Sequence, residues 1–313
     1  MTTLSIFIAA QNGAEYPDLL KDKLGEEIEY TVATTIEDSV SKYSGQPVLL
    51  ARPDFAAAIL ESKPPIDWIQ STWAGVTPLI EHSYKNYILT GVKNVFGSQM
   101  TEYIIGHILY HELRMEERAE QQKQKYWKAK GSGRLQDKTM GILGTGSIGI
   151  DLAHSVATLG VRVIGYNNSG ASVEPFGQVF TKESIKDFLR QSDYVVGILP
   201  DLPVTTNLID TAALKAMKKS SLLINVGRGN LIDDDALCAA LNNHEIAGAI
   251  LDVFKEEPLP ENSALWTTKN CIVTPHVAAM SYPADIVKVF LRNLEHYMAG
   301  EPLLYQIDFE KGY

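Results

Sequence analysis

Short apolar runs, spaced along nearly the whole chain and separated by stretches of helical periodicity, constrain the fold more than any other feature. "LSIFIAA", "EYTVAT", "PVLLA", "DWIQST", "TMGILG", "RVIGY", "YVVGIL", "LLINV", "GAILDV" and "CIVTPH" each have the length and apolar, β-branched content of a buried strand. Strands that alternate with helices imply α/β architecture with parallel sheets. A chain of 313 residues exceeds the usual reach of one hydrophobic core, so two domains are expected. The net charge of -10 and the lack of any Lys/Arg-dense run argue against nucleic acid or an anionic membrane as partner and leave a small metabolite. Cys238 and Cys271 lack metal-ligand spacing and are expected as core thiols, with no metal site. No basic residue precedes "LSIFIAA", which therefore reads as a first strand rather than a signal peptide, and no apolar run is long enough for a bilayer. The expected setting is cytoplasmic.

Between the fourth and fifth runs, Met100, Ile104, Ile108, His111 and Met115 recur at helical spacing within roughly Gln99 to Lys130, which predicts one long domain-bridging helix. The stretch "KGSGRLQDK" then leads into "TMGILGTGSIGIDLAHSVATLG". Here a strand runs into Gly144, Gly146 and Gly149, with Thr145, Ser147 and Ile148 between them, and a helix follows. Gly144 makes the tight turn, Gly146 lets backbone approach a pyrophosphate, and Gly149 permits close helix-to-strand packing, while the helix N-terminus offers free N–H groups. Flavoproteins and methyltransferases have comparable loops, but the strand and helix on either side favour a dinucleotide.

About 20 residues past such a loop, a carboxylate ordinarily grips the adenosine ribose and repels a 2′-phosphate. The next strand here ends in Asn167, Asn168 and Ser169. Neutral amides permit a 2′-phosphate without enforcing it, and no Arg or Lys stands in this turn, so NADP(H) is favoured over NAD(H) only narrowly. The competing explanation is an Asx-rich turn with no nucleotide role.

Three later strand ends carry unusual polar groups, in "NVGRGN", "LDVFKEEPLP" and "TPHVAA". Strand ends of a doubly wound fold converge on a crevice, which makes Arg228, Glu257 and His276 one candidate catalytic set. An Arg between two glycines can clamp a carboxylate with its planar fork, a His exchanges protons near neutral pH, and a Glu beside it orients the ring. Taken singly, each has a plainer explanation as a core histidine, a surface ion pair or a solvated charge.

Together with "GTGSIG" and "LPDLPVTTNLI", these motifs resemble, in order and spacing, the D-isomer-specific 2-hydroxyacid dehydrogenases. The resemblance covers nearly the whole chain. It implies two Rossmann-like doubly wound parallel-sheet domains, with the dinucleotide-binding domain inserted in the substrate domain. The boundaries expected are 1–98 for the first part of the substrate domain, 99–282 for the dinucleotide domain and 283–313 for the C-terminal return. It further implies that Arg228 holds the carboxylate and carbonyl oxygen of a 2-oxo acid, that Glu257, the residue before Pro258, supports His276, and that His276 protonates the oxygen as hydride arrives. Asp252 would anchor the nicotinamide carboxamide, and Leu199, Pro200, Thr205, Val226 and Gly227 would add cofactor contacts. In "STWAGVTPLI", Trp73, Ala74, Gly75 and Val76 are the substrate-binding candidates, with Arg52 of "LLARPDF" a further one.

Within the family, "SALW", "TPHVAA" and the terminal "QIDFEKGY" are most similar to the glyoxylate/hydroxypyruvate reductase branch. A small 2-oxo acid and a homodimer are what that likeness implies. Two alternatives share the fold: a nucleotide-sensing, corepressor-like binding module, for which this chain lacks a partner-binding tail or basic patch, and formate dehydrogenase, which pairs its His with Gln where Glu257 stands here.

Overall fold

The computed structural model describes residues 4–24 and 28–310, and internal contacts divide the chain into two compact units, Met1–Val95 with Ser281–Tyr313, and Phe96–Met280. Among the described residues the first unit has five strands: β1 (Leu4–Ala9), β2 (Ile28–Ala33), β3 (Val48–Ala51), β4 (Trp68–Ser71) and β5 (Ile88–Thr90). All pair in parallel, in the order β2-β1-β3-β4-β5. "VLLA" and "WIQS" are buried at every position because both sheet faces are covered, as a parallel sheet requires. On one face Phe7, Leu49, Ile69 and Leu89 pack with Phe55, Ile59 and Leu60 of helix Pro53–Leu60.

The C-terminal helix Pro283–Ala299 belongs to this unit. Its buried Ile286, Phe290 and Leu294 recur every four residues, and Phe290 stacks on Trp68 with ring centroids 5.1 Å apart. Gly300, at φ +68, ends it in the left-handed conformation that lacks a Cβ penalty. One polar residue sits in this apolar seam. Asn293, fully buried, donates to Gln70 Oε1 (3.0 Å) and Leu304 O (3.1 Å) and accepts from Leu304 N (2.7 Å), which joins helix, β4 and tail through one amide.

The second unit has, among the described residues, seven strands: β6 (Thr139–Leu143), β7 (Arg162–Tyr166), β8 (Val179–Phe180), β9 (Tyr194–Gly197), β10 (Leu222–Asn225), β11 (Gly248–Leu251) and β12 (Cys271–Val273). They form one parallel sheet in the order β12-β11-β10-β9-β6-β7-β8, with an apolar core on each face. Each sheet reverses its strand order once, between β1 and β3 and between β6 and β9, and such reversals open a crevice at the C-terminal ends of the strands.

One expectation needs correction. The amphipathic segment 99–130 is not one helix: it forms Gly97–Glu112 and Met115–Lys123, and 124–134 is irregular. Arg114 stands at φ +54 between them, and Arg118 Nε donates to the freed Leu113 carbonyl at 2.7 Å. Past Met115 the periodic apolar face fails, and helix Met115–Lys123 buries no residue, so nothing holds the two in line. The strands β5 and β8 escape sequence patterning because they are too short for alternation to register. Lys311 to Tyr313, the end of the tail motif quoted above, lie outside the described residues. Among those described, no helix is long and apolar enough to cross a membrane.

Asn293→Ala removes the side-chain partner of both Leu304 backbone groups and one of two donors to Gln70 Oε1, which keeps Thr90 Oγ1. Leaving buried polar groups unmet costs about 1–3 kcal/mol each, so a loss of roughly 2–4 kcal/mol is expected in denaturant unfolding.

Candidate active site

At the β6/β9 reversal, β6 runs into Gly144 at φ +122 and then into helix Ser147–Ala157. A Cβ on Gly149 would lie 2.2 Å from the Gly144 carbonyl oxygen, so the helix can approach the strand only with glycine there. Gly146 differs: a Cβ built on it meets no protein atom within 4 Å, and no side chain caps the helix at this residue. The result is an open cradle beside uncapped N–H groups at Ser147, Ile148 and Gly149, which fits the phosphates of a dinucleotide.

Asn167 follows β7 and has all its hydrogen-bonding capacity in use. Its Nδ2 donates to Thr145 Oγ1 (3.0 Å) and Ala171 O (3.1 Å), while Oδ1 accepts from Gly170 N (2.7 Å) and Ser169 Oγ (3.2 Å). It folds the turn and ties it to the glycine loop. Asn168 is exposed and makes no hydrogen bond to the described protein, so of the pair it is the one with an amide to offer. Across the reversal lie half-buried Leu199 and exposed Pro200. Thr205 orders this segment through its hydroxyl, which contacts Pro200 O (2.9 Å), Leu202 O (2.8 Å) and Leu202 N (3.0 Å).

The ends of β10, β11 and β12 are laced together. Val226 and Gly227 are buried, and a Cβ on Gly227 would meet Ile198 Cα at 2.8 Å. One on Gly229 would meet the Phe254 backbone at 1.9 Å, so both glycines flanking Arg228 are imposed by neighbouring main chain. Asn225, which sequence reasoning missed, donates through Nδ2 to Arg228 O at 2.9 Å and accepts from Gly227 N at 3.3 Å. Its signal was a polar residue closing the apolar run "LLIN". Burial pulls the Arg228 guanidinium below the usual arginine range, and the nearby carboxylates of Asp201 and Glu257 pull it back. It remains a cation.

Asp252 is buried, and its carboxylate accepts from Thr274 Oγ1 (2.6 Å), Val277 N (2.9 Å) and Ala278 N (2.8 Å). Its carbonyl accepts from His276 N at 2.9 Å. The 274–278 loop thus wraps one side chain and carries His276 at φ +54. The imidazole Nδ1 lies 2.7 Å from Glu257 Oε2, and Glu257 Oε1 accepts from Phe254 N at 2.9 Å, so the carboxylate is itself held in place. An acceptor-only carboxylate puts the proton on Nδ1 and leaves Nε2 as the second ring nitrogen of a side chain 46% exposed. Behind the loop, Tyr103 Oη and Thr274 Oγ1 share a short hydrogen bond.

In the first unit, the turn after β4 is set by Ser71, whose hydroxyl donates to Trp73 O (2.7 Å) and accepts from Trp73 N (3.0 Å). Among the described residues, the N–H groups of Ala74, Gly75 and Val76 donate to no protein acceptor. Trp73 is 42% exposed.

Residues 105–278 match the family model for the NAD binding domain of D-isomer specific 2-hydroxyacid dehydrogenases. Glyoxylate/hydroxypyruvate reductase A of Escherichia fergusonii is 32% identical over 217 residues, covering 69% of this chain and 70% of that protein. Among solved structures, a D-isomer specific 2-hydroxyacid dehydrogenase family protein of Aeromonas salmonicida is 36% identical with a TM-score of 0.93, covering 98% of this chain and 100% of that one. The NADPH-dependent glyoxylate/hydroxypyruvate reductase of Sinorhizobium meliloti, solved with NADP and sulfate, is 25% identical with a TM-score of 0.85, covering 99% of this chain and 100% of that one. The chain belongs to the D-isomer specific 2-hydroxyacid dehydrogenase family. It is an oxidoreductase with an NAD(P)-dependent 2-hydroxyacid dehydrogenase activity.

The two loop glycines should part company on substitution. Gly146→Ala, with open space for its Cβ, should unfold within about 1 kcal/mol of the parent yet bind NAD(P)H at least roughly 10-fold more weakly by titration calorimetry. Gly149→Ala should instead lower the melting temperature, because backbone must move.

Proposed function

We propose that the protein reduces a small 2-oxo acid, of the glyoxylate or hydroxypyruvate kind, to the D-2-hydroxy acid, with NADPH favoured narrowly over NADH. The observation that carries this reading is the His276–Glu257 contact of 2.7 Å beside the half-buried Arg228 cation. When bound, the reduced nicotinamide supplies hydride. Gly144 to Gly149 would hold the pyrophosphate, Asn168 and Ser169 the ribose, Leu199, Pro200, Val226 and Gly227 the adjoining face, and the remaining lone pair of Asp252 the carboxamide.

Reduction places negative charge on the carbonyl oxygen. Arg228 meets the carboxylate and that oxygen with parallel N–H donors, in surroundings where a charge-assisted hydrogen bond is strong. His276 delivers a proton from Nε2 to the oxygen, and Glu257 stabilises the imidazolium before transfer and keeps the ring aimed throughout. In the oxidative direction the same imidazole, neutral, accepts the hydroxyl proton. The missing carboxylate at 167–169 supports tolerance of a 2′-phosphate, as does the NADPH dependence named for the Sinorhizobium meliloti relative.

Tyr110 (42% exposed), Leu113 (40%), Met115 (45%), Tyr126 (56%) and Trp127 (94%) lie close together in the chain, and their exposure supports a homodimer formed through the second unit. The setting we propose is cytoplasmic. Sedimentation should give about twice the chain mass, and Trp127→Glu with Tyr126→Glu should shift it toward one; a parent that sediments as a monomer would remove the dimer.

Absorbance of the reduced nicotinamide, followed separately with NADPH and NADH against glyoxylate, hydroxypyruvate, pyruvate and a branched 2-oxo acid, tests the activity. His276→Ala should lower kcat by about 10²–10⁴-fold with nucleotide affinity retained. Arg228→Ala should lower kcat/KM by about 3 kcal/mol equivalent. Normal turnover by the His276 variant would remove the proton-donor role.

A further inference from the structure

Helix Gly97–Glu112 carries a polar stripe that the chemistry above does not use: Gln99, Tyr103 and His107 follow one another at helical spacing and share one face. The helix packs on the loop that follows β12, since Ile104 and Ile108 share an apolar core with Ala278. Gln99 takes both backbone groups of Met280: its Nε2 donates to Met280 O at 3.0 Å and its Oε1 accepts from Met280 N at 2.9 Å. At the other end of the loop, Tyr103 Oη and Thr274 Oγ1 share their short hydrogen bond. One helix face thus grips the loop at 274 and at 280, with His276 between.

The direction of the Tyr103 bond follows from the proton count. A hydroxyl has one hydrogen, and Thr274 Oγ1 gives its own to Asp252 Oδ1 at 2.6 Å, because an ionised carboxylate only accepts. Tyr103 is therefore the donor, and a chain runs from phenol to hydroxyl to carboxylate, each link polarising the next. Burial pushes the Tyr103 phenol up to about 12, so it keeps the proton it donates. The centre of the His107 ring lies 4.4 Å from that of Tyr103, which limits how far the phenol can swing. Asp252 Oδ1 also accepts from Val277 N, so the chain ends on the oxygen that holds the residue after His276. Left-handed backbone of the kind at His276 persists where its surroundings over-determine it, and tethers at 274 and 280 supply that constraint.

We propose that Gln99 and Tyr103 are positioning residues for hydride and proton transfer: they act through the two ends of one loop, holding the Asp252 carboxylate and the His276 imidazole in place. The assignment rests on the roles proposed above for Asp252 and His276. A misplacement of about 1 Å in such groups costs on the order of 100-fold in rate, so the effect belongs in kcat rather than in KM.

The test is a double-mutant cycle on kcat in the full chain, with the fastest pair of nucleotide and 2-oxo acid: parent, Tyr103→Phe, Thr274→Val and both together. Tyr103→Phe should lower kcat about 10-fold, leave both KM values within about 2-fold, and raise the isotope effect from reduced nucleotide dideuterated at C4, since the hydride step then limits turnover. In the Thr274→Val background the same change should lower kcat by less than about 2-fold, because the path to Asp252 is already cut. A lower melting temperature with kcat unchanged would make Tyr103 purely structural and overturn the proposal, as would equal losses of kcat in both backgrounds. Should Tyr103→Phe fail to fold, Gln99→Met, which removes only the tether at 280, is expected to lower kcat about 3-fold with the same unchanged KM values, and an unchanged kcat there overturns the proposal equally. A parent inactive with every 2-oxo acid overturns the roles of Asp252 and His276, and the positioning roles with them.

Discussion

A buried carboxylate with no ion-pair partner among the described residues governs the geometry of the second unit. An ionised Asp252 with no partners would be too costly to bury, so the chain surrounds it with a hydroxyl and two main-chain amides, from Thr274, Val277 and Ala278. Those donors come from consecutive turns of one loop, and only a tightly wrapped loop delivers them. The wrapping reaches back into the sheet, where Asp252 N donates to Asn225 O and Thr274 N to Leu251 O. Asn225 then shapes the turn of Arg228. The positions of the guanidinium and the imidazole therefore share a single electrostatic origin.

Parallel sheets make such an arrangement available in both units. Every strand delivers its C-terminal end to the same edge, and strand order reverses once in each sheet, so polar groups accumulate at that edge while the interior stays apolar. Close main-chain contact at the edge explains the glycines better than flexibility does. Gly227 and Gly229 are there because Ile198 and Phe254 occupy the space of a side chain, whereas at Gly146 that space is open.

Much of the fold was legible from periodicity: all ten apolar runs became strands, and the glycine-rich turn lies between strand and helix. What escaped had no pattern to show. Two- and three-residue strands such as β8 and β5 exist because neighbours pair with them, and the break at Arg114 reflects a loss of burial rather than a breaker residue. The Asn pair presents the same difficulty at the level of a site. Asn167 and Asn168 are chemically identical in the sequence, yet one is consumed by its own turn and the other is not, a difference that depends on where Thr145 and Ala171 come to lie. The partners that hold Glu257, a backbone amide of Phe254 and the ring of His276, are likewise set by loop path rather than by spacing.

His276 occupies left-handed backbone, a conformation that costs an ordinary L-residue about 1 kcal/mol and glycine almost nothing. If His276 is the proton donor proposed above, folding and chemistry ask for different residues at one position. Selection on stability alone would drift away from histidine here, toward glycine or asparagine, and each such step would leave a sounder scaffold that still cradles a nucleotide. A protein of this kind has a downhill route from enzyme to pure binder, and screens for thermostable variants will travel it unless turnover is scored alongside.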